Sequence, residues 1–268
     1  MPRPGLTEFF EANRVIRNPR YQPVLLRSSR QVAPFLAWLA TRLGISPFHV
    51  NFFNLLLSLA ACAMFALGPP EARIPTAALL IFWQVLDATD GNMARALGIR
   101  SNYGGFVDYL AGMYLVGFLH VSIGVGLFRF PEYSMATVLG WVSDASYLPV
   151  YSLIIGAYSS LAMIFFRLTA RIIEARFGIN LKAVEDQADS ASRSMEFSLR
   201  KSSLKKMARR LIKNVESIGG LQLVLLLFAA IVGCLEIFLA FYLLVSMSVL
   251  ATFTVKALID LKDQHNYL

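Results

Sequence analysis

The chain has 268 residues, 56% of them hydrophobic and only 16% charged, with a formal net charge of +8. A mean hydropathy of +0.57 excludes an ordinary soluble domain, in which charged residues supply about a quarter of the sequence. Cys62 and Cys234 both lie in apolar surroundings, which excludes a disulfide framework or a cysteine metal centre and leaves them as packing residues.

Met1 to Arg20 is polar and Arg-rich without an apolar stretch of its own. No cleavable signal peptide is therefore expected, and the first span doubles as the insertion signal. From Pro23 to Gly44, Leu, Val, Phe and Trp alternate with Arg27, Arg30 and Arg42, the pattern of an amphipathic helix lying in the membrane interface. Pro34 is placed to bend it. Ser46 followed by Pro47 is a helix start signal, with the serine as N-cap and proline at the first helical position.

Apolar blocks of about 20 residues, the length that crosses roughly 30 Å of hydrocarbon, then recur along the chain. They run approximately Phe48–Gly68, Ile74–Leu97, Gly104–Phe128, Ser146–Phe166, Gly219–Gly233 and Leu235–Ile259. The last two form one tract that must turn near Gly233 and Glu236. Gly178 to Ser217 is polar, and its second half repeats Leu204, Met207, Leu211, Val215 and Ile218 at helical spacing among basic residues. That insert reads as a basic amphipathic helix for anionic headgroups, with a solvated linker helix as the alternative.

The fold expected is an all-α integral membrane protein with six transmembrane helices and an N-terminal interfacial helix. Its parts are an N-terminal segment (1–45), spans one to four (46–177), the basic insert (178–217), and spans five and six with a tail (218–268). Lys and Arg crowd the segment before the first span, the loop at Arg95 and Arg100, and the stretch from Arg167 to Lys213, whereas the opposite loops hold Arg73 and Arg129. The positive-inside rule then puts both termini in the cytoplasm. The positive charge reads as a topology and lipid-surface signal, and nucleic acid is not an expected partner.

Against this apolar background, Asp87, Asp90, Gly91, Ala94 and Arg95 fall at i, i+3, i+4, i+7 and i+8, one stripe at the end of the second span. Gly104, Asp108 and Gly112 make a second stripe at i, i+4 and i+8 as the chain re-enters the bilayer. A short loop makes the stripes antiparallel neighbours. Ionised carboxylates grouped beside hydrocarbon repel one another unless a cation lies between them. Three Asp oxygens suit a hard ion such as Mg²⁺ or Mn²⁺. Small residues at 91, 94 and 104 let a ligand approach the backbone, and the Arg95 fork suits phosphate oxygens. Together they describe a phosphate or pyrophosphate site facing the cytoplasm. Ion transport, the reading from another class, would need polar groups on both sides of a central site.

The run Asp87, Asp90, Gly91, Ala94, Arg95, Gly104 and Asp108 resembles the signature of the CDP-alcohol phosphotransferase family, D-x2-D-G-x2-A-R-x8-G-x3-D-x3-D, at every position but the last. The resemblance implies attack of an acceptor hydroxyl on the β-phosphorus of a CDP-linked alcohol, CDP-diacylglycerol above all, with release of CMP. It also implies that Asp87, Asp90 and Asp108 hold a metal pair, that Gly91, Ala94 and Gly104 line the cytidine nucleotide site, that Arg95 holds the diphosphate, and that the protein is a homodimer. The insert from Gly178 to Ser217 falls outside the family core.

Where the family has its final Asp, the general base and a ligand of the second metal, this chain has Gly112. Losing a general base removes a factor of about 10² to 10⁴ in rate. No substitute is evident, since Tyr109 and Met113 point off the face of Gly112. Three explanations compete: a transferase whose acceptor needs little help or whose Asp108 takes the proton, a silent relative that binds the CDP-lipid or a partner enzyme, and a chain carrying an inactivating change. In the first, Gly112 also makes room for a bulkier acceptor. Asn51 and Asn54 on the entry turn of the first span are open to nucleotide contact or to helix packing. Arg100, Arg167 and Arg171 are open to an anionic acceptor or to positive-inside anchoring.

Overall fold

The computed structural model describes residues 4–14, 24–99, 101–131, 147–177, 214–215 and 218–265. Among these there is no strand. The helices are α1 (Leu6–Arg14), α2 (Val24–Arg42), α3 (Pro47–Leu67), α4 (Arg73–Ala96), α5 (Asn102–Arg129), α6 (Leu148–Phe177), α7 (Leu223–Val232) and α8 (Leu235–His265). Nearly all of the basic insert, the start of the fourth apolar block and Arg100 lie outside the described residues.

Among the described residues, four helical stretches are long and apolar enough to cross a membrane: Pro47–Leu67, Asn102–Arg129, Leu148–Ile173 and Leu235–Ile259. The second block forms α4, whose 24 residues reach the required length while Arg73, Asp87, Asp90 and Arg95 lower its apolar character. The fifth block yields only the 10-residue α7 after a π turn at Ile218–Gln222, where Gly220 leaves helical geometry. Gly233, in the left-handed region at φ 78°, ends α7, and α8 follows two residues on.

Capping sets the two starts that matter for the site. The Ser46 side chain accepts from the backbone N–H of His49, and the His49 ring accepts from that of Ser46, a capping box with Pro47 inside the first turn. Ser101 caps α5, its hydroxyl oxygen accepting from Gly104 N at 3.1 Å.

α3, α4 and α5 share a core with α6, α7 and α8 built on Leu80, Trp83, Leu115, Leu119, Leu226 and Leu239. The Trp83 indole donates to the Asn54 carbonyl at 3.0 Å. α5 approaches its neighbours through glycines: a Cβ on Gly126 would run into the Phe65 carbonyl of α3, one on Gly156 into the His120 carbonyl, and one on Gly124 would lie 2.6 Å from the Ser152 carbonyl. At this same end the two arginines of the sparse loops serve the fold, with Arg73 donating to Gly126 O and Arg129 to Ala66 O, each at 3.1 Å. They add side-chain donors to carbonyls near helix C-termini, the Gly126 carbonyl also accepting from Phe130 N at 3.2 Å.

Mid-bundle, His120 is buried between Ser159 of α6 (3.0 Å from Nδ1) and Gln222 of the π turn (2.9 Å from Nε2). Ser159 continues to Ser246 of α8 at 2.9 Å, and the His120 ring stacks on Tyr242. One polar chain thus ties α5, α6, the π turn and α8 together.

The amphipathic stretch from Pro23 to Gly44 forms α2, which packs on α4 with Ala33 and Ala37 fully buried. α1, in the polar N-terminal segment, has no counterpart in the sequence reading. Its Phe9 is fully buried beside Met93, Val50 and Ala37, and Phe9 O accepts from Asn92 Nδ2 at 3.1 Å. A helix of nine residues with one buried aromatic anchor, Phe9, gives too weak a periodicity to find from sequence.

Candidate functional site

The last turns of α4, the first of α5, the start of α3 and the latter part of α6 meet at one end of the bundle, with α2 alongside. α4 carries Asp87, Asp90, Gly91, Ala94 and Arg95, and α5 carries Gly104, Asp108 and Gly112. Asn51 of α3 links the two sides, donating from Nδ2 to Gly104 O at 3.2 Å. Its Oδ1 and the whole side-chain amide of Asn54 are buried without a hydrogen-bond partner among the described residues.

The structure brings the three carboxylates together. Asp87 interacts directly with Asp108, and Asp90 lies within range of both charges. Their exposure is graded: Asp90 is 5% exposed, Asp87 half-buried and Asp108 exposed. Each of the inner two also has a local partner. Asp87 Oδ2 accepts from Gln84 Nε2 at 3.1 Å, and Asp90 Oδ1 from Gly91 N at 2.5 Å.

Three arginines from three helices surround these acids. Arg95 folds back along α4, so that a Cβ on Gly91 would lie 3.3 Å from its Nη1. Arg30 of α2 lies within range of Asp87 and of Arg95; burial holds its guanidinium below the ordinary value, and the Asp87 charge partly offsets this. Arg167 of α6 lies within range of Asp87 and Tyr109, and a Cβ on Gly112 would meet its Nη1 at 3.3 Å. The space beside Gly112 is therefore bordered by a guanidinium. Next to it the Arg171 guanidinium covers the Tyr109 ring, 4.4 Å from the centroid, and the Tyr109 hydroxyl is buried without a hydrogen-bond partner among the described residues.

Arg30 was read from sequence only as an interfacial residue, and Arg167 as an anchor or acceptor ligand. No signal along the chain ties either to the Asp stripe, because each arrives from a helix remote in sequence. Tyr109 was read as pointing away from Gly112, whereas its ring belongs to the arginine cluster that covers that glycine.

The site glycines differ from those that pack the bundle. A Cβ on Gly104 would meet only Ser101 at ordinary contact distance, one on Gly105 would meet nothing within 4 Å, and one on Gly91 only the movable Arg95 side chain. Helix packing does not account for them, in contrast to Gly124, Gly126 and Gly156. Absent side chains bordering open space fit a ligand that must come close to the backbone.

The family model described as CDP-alcohol phosphatidyltransferase matches residues 45–184, just over half of the sequence. The chain belongs to this family. The match begins beside the Ser46 cap and runs through α3, α4, α5 and α6, so it contains every helix that carries the acids. No curated protein matches the sequence. This CDP-alcohol phosphatidyltransferase family member is thus a membrane transferase by class, built on apolar helices.

The family's metal dependence can be tested against the donors. The Asp87 and Asp108 pair offers oxygen ligands of the kind hard divalent ions prefer, and such a pair is repulsive without a cation. Among the described residues no group of three or more His, Cys, Asp or Glu is gathered for an ion, Asp90 being turned onto its own backbone. The donor set fits one ion on the Asp87 and Asp108 side. A second ion fits poorly, because position 112 offers no carboxylate and faces a guanidinium.

Proposed function

We propose that this protein transfers a phosphatidyl or phospho-alcohol group from a CDP-alcohol, in the first instance CDP-diacylglycerol, to an acceptor hydroxyl with release of CMP. The observation that carries this reading is the meeting of Asp87, Asp90 and Asp108 with Arg95 at one bundle end, beside glycines that packing does not require. Phosphoryl transfer is catalysed chiefly by positioning and by neutralising charge, and these are the groups such catalysis needs.

In this mechanism Gly91, Ala94 and Gly104 admit the cytidine nucleotide close to the backbone, and Arg95 swings from Gly91 to grip the diphosphate. A Mg²⁺ or Mn²⁺ ion held by Asp87 and Asp108, with Asp90 beside them, would supply the positive charge that balances the diphosphate. Asp108, exposed and one turn before Gly112, is the carboxylate left to take the acceptor proton. The acceptor oxygen bonds to the β-phosphorus as the bond to CMP breaks. α4 and the short α7 complete six spans, with the site and both termini on the cytoplasmic side. The basic insert rests on anionic lipid, and the working unit is a homodimer, as the family resemblance implies.

A second reading, binding of the CDP-lipid without turnover, is favoured by one observation: a guanidinium, which cannot act as a base, borders the position of the family's last Asp. The full chain in detergent, given CDP-diacylglycerol and a panel of hydroxyl acceptors, decides between them. Transfer predicts CMP release that needs Mg²⁺ or Mn²⁺ and falls by roughly 10²-fold or more in Asp87→Asn. CDP-diacylglycerol binding with no CMP release supports the silent reading, and neither binding nor release overturns both.

A further inference from the structure

The arrangement around Gly112 leads beyond the reaction class, although it rests on the proposed transferase site. The family pattern provides a fourth carboxylate at this position and a second metal ion. Here the side chain is absent, and Arg167 Nη1 stands 3.3 Å from where even its first carbon would be. A carboxylate at 112 would bring one negative charge, whereas the guanidinium beside Gly112 brings one positive charge. The two arrangements differ by the charge of one divalent ion.

We propose that Arg167 replaces the second metal ion of the family's site, so that this chain binds a single divalent cation at Asp87 and Asp108, with Asp90 beside them. Several charged and aromatic neighbours border the guanidinium. It lies within range of Asp87 and Tyr109, and Arg171, lodged over the Tyr109 ring, borders it on α6. Arg30 and Arg95 add positive charge from the α2 and α4 sides. A second divalent ion would sit among these guanidiniums with no carboxylate added to receive it, and repulsion would expel it. Arg167, unlike an ion, stays when the protein is treated with a chelator.

The test counts Mn²⁺ bound to the full chain in detergent by electron paramagnetic resonance, with CMP release measured in parallel. The native protein should bind one Mn²⁺ per chain, and the Gly112→Asp/Arg167→Ala double variant should bind two. Arg167→Lys, which keeps the charge, should still bind one. Two ions bound to the native protein would overturn the inference while leaving the transferase reading intact. A double variant that elutes as a folded species yet binds one ion would also overturn it; if that variant does not fold, the native count decides. No Mn²⁺ bound to the native protein would instead overturn the metal-dependent transferase reading, and the inference with it.

Discussion

At the residue scale, the contact between Gly112 and Arg167 changes what restoring the family's acid should do. An Asp placed at 112 extends toward the guanidinium at 3.3 Å from its Cβ, so its carboxylate pairs with Arg167 and is held ionised but occupied. Gly112→Asp alone should therefore raise CMP release less than tenfold. Combined with Arg167→Ala, which frees the new carboxylate, it should raise release by about 10² or more, the usual worth of a general base. Steady-state CMP release from the three proteins checks this. Any room that Gly112 makes for a bulky acceptor borders this side chain from α6. The Asp stripe itself was legible, because i, i+3 and i+4 spacing fixes which residues share a helix face whatever the tertiary fold. Arg30 and Arg167 were not, because only packing of α2 and α6 against the acid-bearing helices brings them near.

At the element scale, start signals were readable and short elements were not. Ser46 and Pro47 announced α3 because capping is local chemistry, and Ser46→Ala should lower stability by about 1 kcal/mol. α1 escaped notice because its place depends on Phe9 filling a hole beside Met93, which sequence periodicity does not report. α7 came out shorter than its apolar block because the π turn at Gly220 takes up the first part. The polar chain through His120 has a testable worth. His120→Phe keeps an aromatic ring on Tyr242 but leaves the Gln222 amide nitrogen without its His120 partner and Ser159 with Ser246 alone, and a buried polar group stripped of its hydrogen bond costs roughly 1–3 kcal/mol. Thermal unfolding in detergent should show this loss with little change in Mn²⁺ binding, since the network lies away from the acids.

For the whole molecule, alternation of helix direction puts the starts of α3 and α5 at the site end and their last turns, with Ala66 and Gly126, at the other. Ser101 and Pro69 are exposed at these opposite ends. In membranes of known sidedness, with Cys234 replaced by Ala, a cysteine at Ser101 should react with an impermeant thiol reagent from the cytoplasmic face, and one at Pro69 from the opposite face. The reverse pattern would refute the orientation drawn from the arginine and lysine distribution. Membrane residence and helical class were legible because composition alone imposes them. The number of spans was harder to read, because α4 spends part of its length on charged residues that serve the site.

The glycines of α5 leave that helix unevenly held. Its far half is clamped backbone to backbone, through Gly124 and Gly126, with no side chain between that could yield. The glycines of its near half, Gly104, Gly105 and Gly112, meet only open space, the Ser101 side chain or an arginine tip. A rod gripped in a vice at one end bends at the other, so the strain of admitting and expelling a CDP-alcohol falls on the turns that carry Asp108. Amide hydrogens from Gly104 to Gly112 should accordingly exchange with solvent well before those from Gly117 to Gly126, and a bound substrate should slow the first group alone.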